Sequence, residues 1–189
     1  MAQISISSGS IMRPYRSPWG AFPVQGYPLS TGVRGSTIQP GYLVTSDTTT
    51  DSNADKIQAA DTLSTAIVGV ALEAASGNST GNVNSTISVA EANPAVEFRA
   101  FTKGDAMVSS LIGKTRSYAF DSTLRIYYVD LANATTADAR VVITRMGAAA
   151  GLQGALGDTG GECAFRFLRA TAVADSVSTA SHSVLAYYK

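Results

Sequence analysis

The stretch Thr65-Ala-Ile-Val-Gly-Val-Ala-Leu-Glu-Ala-Ala75 decides the fold, taken together with Ile38-Gln-Pro-Gly-Tyr-Leu-Val44 upstream. It is the longest run of small and branched apolar residues in the chain. Apolarity that is continuous over so few residues, with Gly69 inside, predicts a strand buried on both faces rather than a helix. In the partner stretch, Pro40-Gly41 predicts a turn between two short strand pieces.

Downstream, apolar residues recur with the period of two that belongs to half-buried strands. Ile87 and Val89 share a face; so do Val96, Phe98 and Ala100, with Glu97 and Arg99 opposite. Lys103-Gly104-Asp105 reads as a turn and residues 106–112 as a further strand. Over 123–129, Leu124, Ile126 and Tyr128 alternate with Arg125 and Tyr127. Val141 and Ile143 follow the same rule, as do Cys163, Phe165 and Phe167 against Arg166. A last strand is expected over 183–188. Residues 45–53, 77–84 and 146–157 have loop composition, and 54–63 suits either a helical turn or a loop. No window sustains a 3.6-residue period with caps. The prediction is an all-β fold of about eight or nine short strands, a compact β-barrel or jelly-roll-like sandwich.

A chain of 189 residues is most simply one domain with an appendage. Charged residues make up 15%, below the roughly 25% usual in globular domains. Such a lightly charged surface is cheap to desolvate against a partner. The formal net charge is zero, yet Arg13, Arg16 and Arg34 are the only charged residues before Asp47. That bias is far too weak for nucleic-acid binding, which needs a dense basic stripe. Cys163 is the only cysteine, so no intrachain disulfide forms. With no leader pattern and no apolar run approaching a membrane span, the expectation is synthesis in the cytoplasm and no membrane partner.

Residues 1–36 differ from the 37–189 body. Four of the six prolines (Pro14, Pro18, Pro23, Pro28) alternate here with Tyr15, Trp19, Phe22 and Tyr27. Proline at that density favours extended backbone, whereas a flexible linker would lack large rings. An extended arm with four rings needs a surface, either its own β domain or a neighbouring protein. The second reading makes Arg13, Tyr15, Arg16, Trp19, Phe22 and Tyr27 the candidate partner-binding residues. Rings supply apolar burial and guanidinium groups pair with carboxylates. On that reading, a chain lacking residues 1–28 should remain a folded oligomer that has lost its partner.

Motifs for chemistry fail one by one. Gly157-Asp-Thr-Gly160 contains the aspartic-protease triplet, but it follows a Gly/Ala loop rather than an apolar strand, so a turn is the better reading. Gly113-Lys114-Thr115 resembles the end of a phosphate loop, but Val108 stands where the first glycine is needed. His182, the only histidine, and Cys163 cannot assemble a metal cluster or a recognisable nucleophile–base pair. Asp47, Asp51, Asp55 and Asp61 lack calcium-loop spacing, which leaves only a calcium site shared between subunits. No catalytic residue, cofactor, metal or small-molecule substrate is expected.

The order Ile38-x-Pro-Gly-Tyr-Leu-Val, a polar loop, Ile67-Val-Gly-Val-Ala-Leu-Glu-Ala-Ala-Ser-Gly77, and then a strand with Lys103-Gly-Asp105 resembles the small β-barrel proteins that decorate tailed-phage capsids. The resemblance covers about residues 37–110. It implies a non-enzymatic homotrimer on the outer capsid surface of the virion that cements neighbouring subunits of the major capsid protein. A receptor- or glycan-binding fibre or spike module is the alternative.

Overall fold

The computed structural model describes residues 11–30, 37–47, 56–60, 64, 66–76, 86–135 and 138–168. Among these the protein is all-β, with thirteen short strands and no α-helix. Strands β1 (Arg13–Arg16) and β2 (Val24–Pro28) come from the proline-rich segment. Then follow β3 (Thr37–Ile38), β4 (Leu43–Ser46), β5 (Ile57–Ala59), β6 (Gly69–Ala71), β7 (Ala75–Ser76) and β8 (Thr86–Glu91). The second half supplies β9 (Glu97–Lys103), β10 (Thr115–Asp121), β11 (Ile126–Asp130), β12 (Val141–Met146) and β13 (Glu162–Phe167).

The second half closes on itself. Its strands run β9-β11-β10-β12-β13, and β13 pairs back onto β9, giving a five-stranded barrel. All these pairings are antiparallel except β9–β11. Phe98, Phe165 and Phe167 fill the barrel, with ring centroids 5.1–6.1 Å apart. The first half makes a sheet in the order β2-β8-β6-β4-β5. A single parallel bridge from Leu29 to Ile57 brings its two edge strands together.

The expected central strand is the buried middle of that sheet, with Ile67, Val70 and Ala71 almost fully enclosed. Gly69 faces Ala90 of β8 so closely that a Cβ would lie 2.1 Å from the Ala90 carbonyl oxygen. Only a residue without a side chain permits that approach. Pro40-Gly41 forms the expected turn between β3 and β4, with Gly41 at φ 86°. One continuous core joins sheet and barrel. Tyr42 meets Phe120 and Tyr127 edge-on at 5.4 and 5.5 Å. Across the same boundary, Tyr127 donates to the Ala60 carbonyl and Tyr118 to the Ser64 carbonyl. Buried hydroxyls that find carbonyl partners fix orientation as well as contribute apolar area.

Several local expectations are corrected. Residues 57–59 form an edge strand instead of the expected helical turn or loop, because β4 offers Ile57 a ladder partner and a buried site. Residues 106–112 are not a sheet strand. The Met107 N–H donates to the Asp158 carbonyl, and the chain then turns through a 3-10 turn at Ser109–Leu111. The 123–129 strand starts later than expected, since Asp121 accepts the Thr123 and Leu124 N–H groups and Arg125 takes φ 55°. Tyr127 and Val129 therefore enter the core, while Tyr128 lies outside under Lys103 at 5.1 Å. The expected 183–188 strand and His182 lie outside the described residues, as do the 77–84 connection and Asp51, Asp55 and Asp61.

Gly69→Ala is predicted to lower stability by about 2 kcal/mol or more through overpacking. Gly26→Ala, whose Cβ would lie an ordinary 4.0 Å from Thr86 Cβ, should stay within about 0.5 kcal/mol. Urea denaturation midpoints check both.

Candidate attachment surface

The proline-rich segment has two unlike parts. Its ends are built into the body. Strand β1 adds to the edge of β9, with Arg13 opposite Arg99, Pro14 opposite Phe98 and Arg16 opposite Glu97. Strand β2 runs the full length of β8 and forms one edge of the second sheet. Met12 before β1 and Leu29 and Ser30 after β2 are buried, and Ser30 hydrogen-bonds the buried Asp47 carboxylate. The prolines sit where a missing N–H does least harm, on edge strands and in the connection between them.

That connection is the exposed part. The Ser17 carbonyl accepts the Gly20 N–H, its hydroxyl accepts the Trp19 N–H, and Gly20 sits at φ 76°. Trp19, at the tip of this turn, is half exposed.

The six candidate residues therefore divide. Tyr15 donates to the Ala150 carbonyl at 2.5 Å and stacks against Arg16 and Arg99, 5.2 and 5.9 Å from its ring. Phe22 packs partly buried against the chain's own core. Tyr27 donates to Glu91 Oε1 at 2.9 Å, and burial and then the Glu91 charge push its hydroxyl pKa up. Arg13, Arg16 and Trp19 are exposed, as is Val24 on β2. One ring of the four, with two guanidinium groups, faces outward strongly.

Beside β1, the outer face of the barrel carries several charges, among them Glu97, Arg99 and Arg166, which the alternation sets opposite the apolar residues. Glu97 is only 4% exposed. It accepts from Arg145 Nε at 3.3 Å and from Arg166 Nη2 at 3.5 Å. Glu162, also buried, lies 3.7 Å from Arg99 Nη1 and accepts the Gln153 N–H. Burial of a carboxylate is tolerable only with such partners. Arg16, Ser17, Pro18, Ala95, Glu97, Arg145 and Arg166 line a cleft of about 230 Å³ here. Alternation in β9 and β13 could locate these residues, but no local signal in the sequence brings Arg145 and Arg166 to Glu97.

The chemistry candidates take ordinary places. Asp158 accepts the Ala155 N–H within its own turn. Cys163 is fully buried, and burial with the neighbouring Glu162 pushes its thiol pKa up, away from the reactive thiolate. Among the described residues no group of three or more His, Cys, Asp or Glu side chains is placed to hold a metal ion, and no helix is long and apolar enough to cross a membrane. Comparison of the chain with known protein families, with curated proteins and with solved structures yields no match.

Deletion of residues 1–28 removes two paired strands and buried Met12, and so tests the body as well as any partner. It is predicted to lower the unfolding free energy by about 3 kcal/mol or more. A thermal unfolding transition unchanged from that of the full chain would contradict this.

Proposed function

We propose that this chain is a non-enzymatic structural virion protein that seats as a homotrimer on the outside of a phage capsid and bridges neighbouring major-capsid subunits. The observation that carries the reading is the split in the N-terminal segment: its ends are anchored as strands, the turn between them exposes Trp19, and Arg13 and Arg16 on β1 are exposed as well. A half-exposed tryptophan on a rigid, low-charge body makes a good anchor. It buries a large area without first losing the freedom of a floppy arm. The resemblance of residues 37–110 to capsid decoration proteins supports the same role.

Self-association has its own candidate surface. Val108 and Leu156 are exposed at 41% and 54%. They flank the point where the Gly157 N–H donates to the Met107 carbonyl at 2.7 Å, and exposed Ile112 closes the same 3-10 turn. Apolar groups clustered on neighbouring loops suit a subunit contact.

The glycan-binding alternative also has an observation in its favour, since exposed Trp19 could stack on a sugar ring. Against it, Tyr42, Tyr118 and Tyr127 of the β body are buried.

Trp19→Ala should leave the unfolding transition in place and weaken co-sedimentation with undecorated particles at least tenfold, as expected for an anchor worth about 2 kcal/mol. Val108→Ser with Leu156→Ser should reduce a trimeric mass in light scattering to that of the monomer. Unaltered decoration by Trp19→Ala, together with its loss of binding on a glycan array, would replace the capsid reading with the glycan one.

A further inference from the structure

The cleft beside β1 has more positive charge than its own carboxylate can neutralise. Three guanidinium groups, Arg16, Arg145 and Arg166, line it with one carboxylate, Glu97. Arg145 and Arg166 each give Glu97 a single donor, at 3.3 and 3.5 Å, and their side chains remain 42% and 45% exposed. A guanidinium carries five N–H donors in a planar fork, so most of that capacity is unused by Glu97. Arg16 rests on the Tyr15 ring and makes no ion pair among the described residues.

A second feature points the same way. In the β1–β9 ladder Arg13 stands directly opposite Arg99, and like charges placed opposite each other across a strand pair are unfavourable. The register that closes β1 onto β9 thus adds Arg13 and Arg16 to a side of the barrel where Arg99 is already paired with Glu162 at 3.7 Å, and it is Arg16 that reaches the cleft. Buried Glu97 acts as the fixed counter-charge that orients two of the three forks, and it leaves the cleft with a surplus of two positive charges.

We propose that this cleft receives a carboxylate side chain from an acidic segment of a partner protein, held between Arg16 on the N-terminal segment and Arg145 and Arg166 on the barrel. Planar carboxylates match guanidinium forks, as Glu97 already illustrates within the cleft. Adjacent Pro18 and exposed Trp19 would cover the bound segment on one side. The inference deepens the attachment role and rests on it only for the partner's identity. The attachment turn and the barrel wall become one binding surface, which only the β1–β9 pairing assembles.

The test uses full-length protein and a fluorescently labelled hexaglutamate peptide, with binding read by anisotropy at low ionic strength. Saturable binding is expected, weakened about tenfold by Arg16→Gln through loss of a charge-assisted contact, and weakened strongly by added sodium chloride. Arg166→Gln should weaken it too, but it removes a partner of buried Glu97 and could lower stability. Arg16→Gln, which breaks no internal ion pair, therefore carries the test. Absence of saturable binding, or equal binding by Arg16→Gln, overturns the proposal. Binding of inorganic phosphate without binding of the peptide also overturns it, by assigning the cleft to free phosphate. Peptide binding that depends on Arg16, without co-sedimentation on undecorated particles, upholds the cleft and rejects the capsid as its partner.

Discussion

Strand β9 has two edges and three partners, and the rest of the architecture follows from how it accommodates them. One edge pairs with β13 along residues 98–101. The other is divided: β1 takes residues 97–99, and β11 takes 102 and 103 in parallel. The β11 contact closes the barrel. The β1 contact fixes the N-terminal segment, which then crosses to the second sheet and pairs as β2 with β8. Since β8 leads into β9 along the chain, the segment ties together two sheets that are already consecutive. Covering this edge also encloses Glu97, which then needs Arg145 and Arg166 for compensation.

Barrel and sheet were largely legible because their signals are local. Continuous apolarity around Gly69 and alternation at Phe98, Ala100, Cys163, Phe165 and Phe167 depend only on each strand's own burial. The Pro40-Gly41 turn is local chemistry too, and a Cβ on Gly41 would lie 2.6 Å from Ile11 Cβ, so the N-terminal segment covers it. Errors arose where a remote partner decided the outcome. Residues 106–112 have strand composition, but the 155–159 loop takes their backbone groups. Tyr127 and Tyr128 exchanged faces because the Asp121 side chain organised the preceding turn. Residues 115–121 form β10 without a clear alternation in the sequence, because Arg116, Ser117 and Asp121 interrupt it.

The proline-rich segment shows the same limit. Its composition announces an extended chain that needs a surface, but composition carries no information about whose surface. Tyr15, Phe22 and Tyr27 find theirs on the same molecule, through the Ala150 carbonyl, the core and Glu91. Trp19, in the Ser17–Gly20 turn, stays half exposed. The candidate surface is therefore smaller than the sequence suggested and differently composed. Half of it comes from the segment, and half from Arg145 and Arg166, which are distant in sequence and contiguous only in the fold.

The central claim is that the N-terminal segment is a built-in part of the body and presents its turn to a partner. Amide hydrogen exchange on the free chain and on particle-bound chain tests this most directly. The account predicts that residues 13–16 and 24–28 are protected in the free chain, as hydrogen-bonded strands should be, and that binding adds protection to residues 17–23 and to the Arg145 and Arg166 strands. Rapid exchange of 13–16 and 24–28 in the free chain, with protection gained only on the particle, would contradict it and describe an arm that folds on its partner.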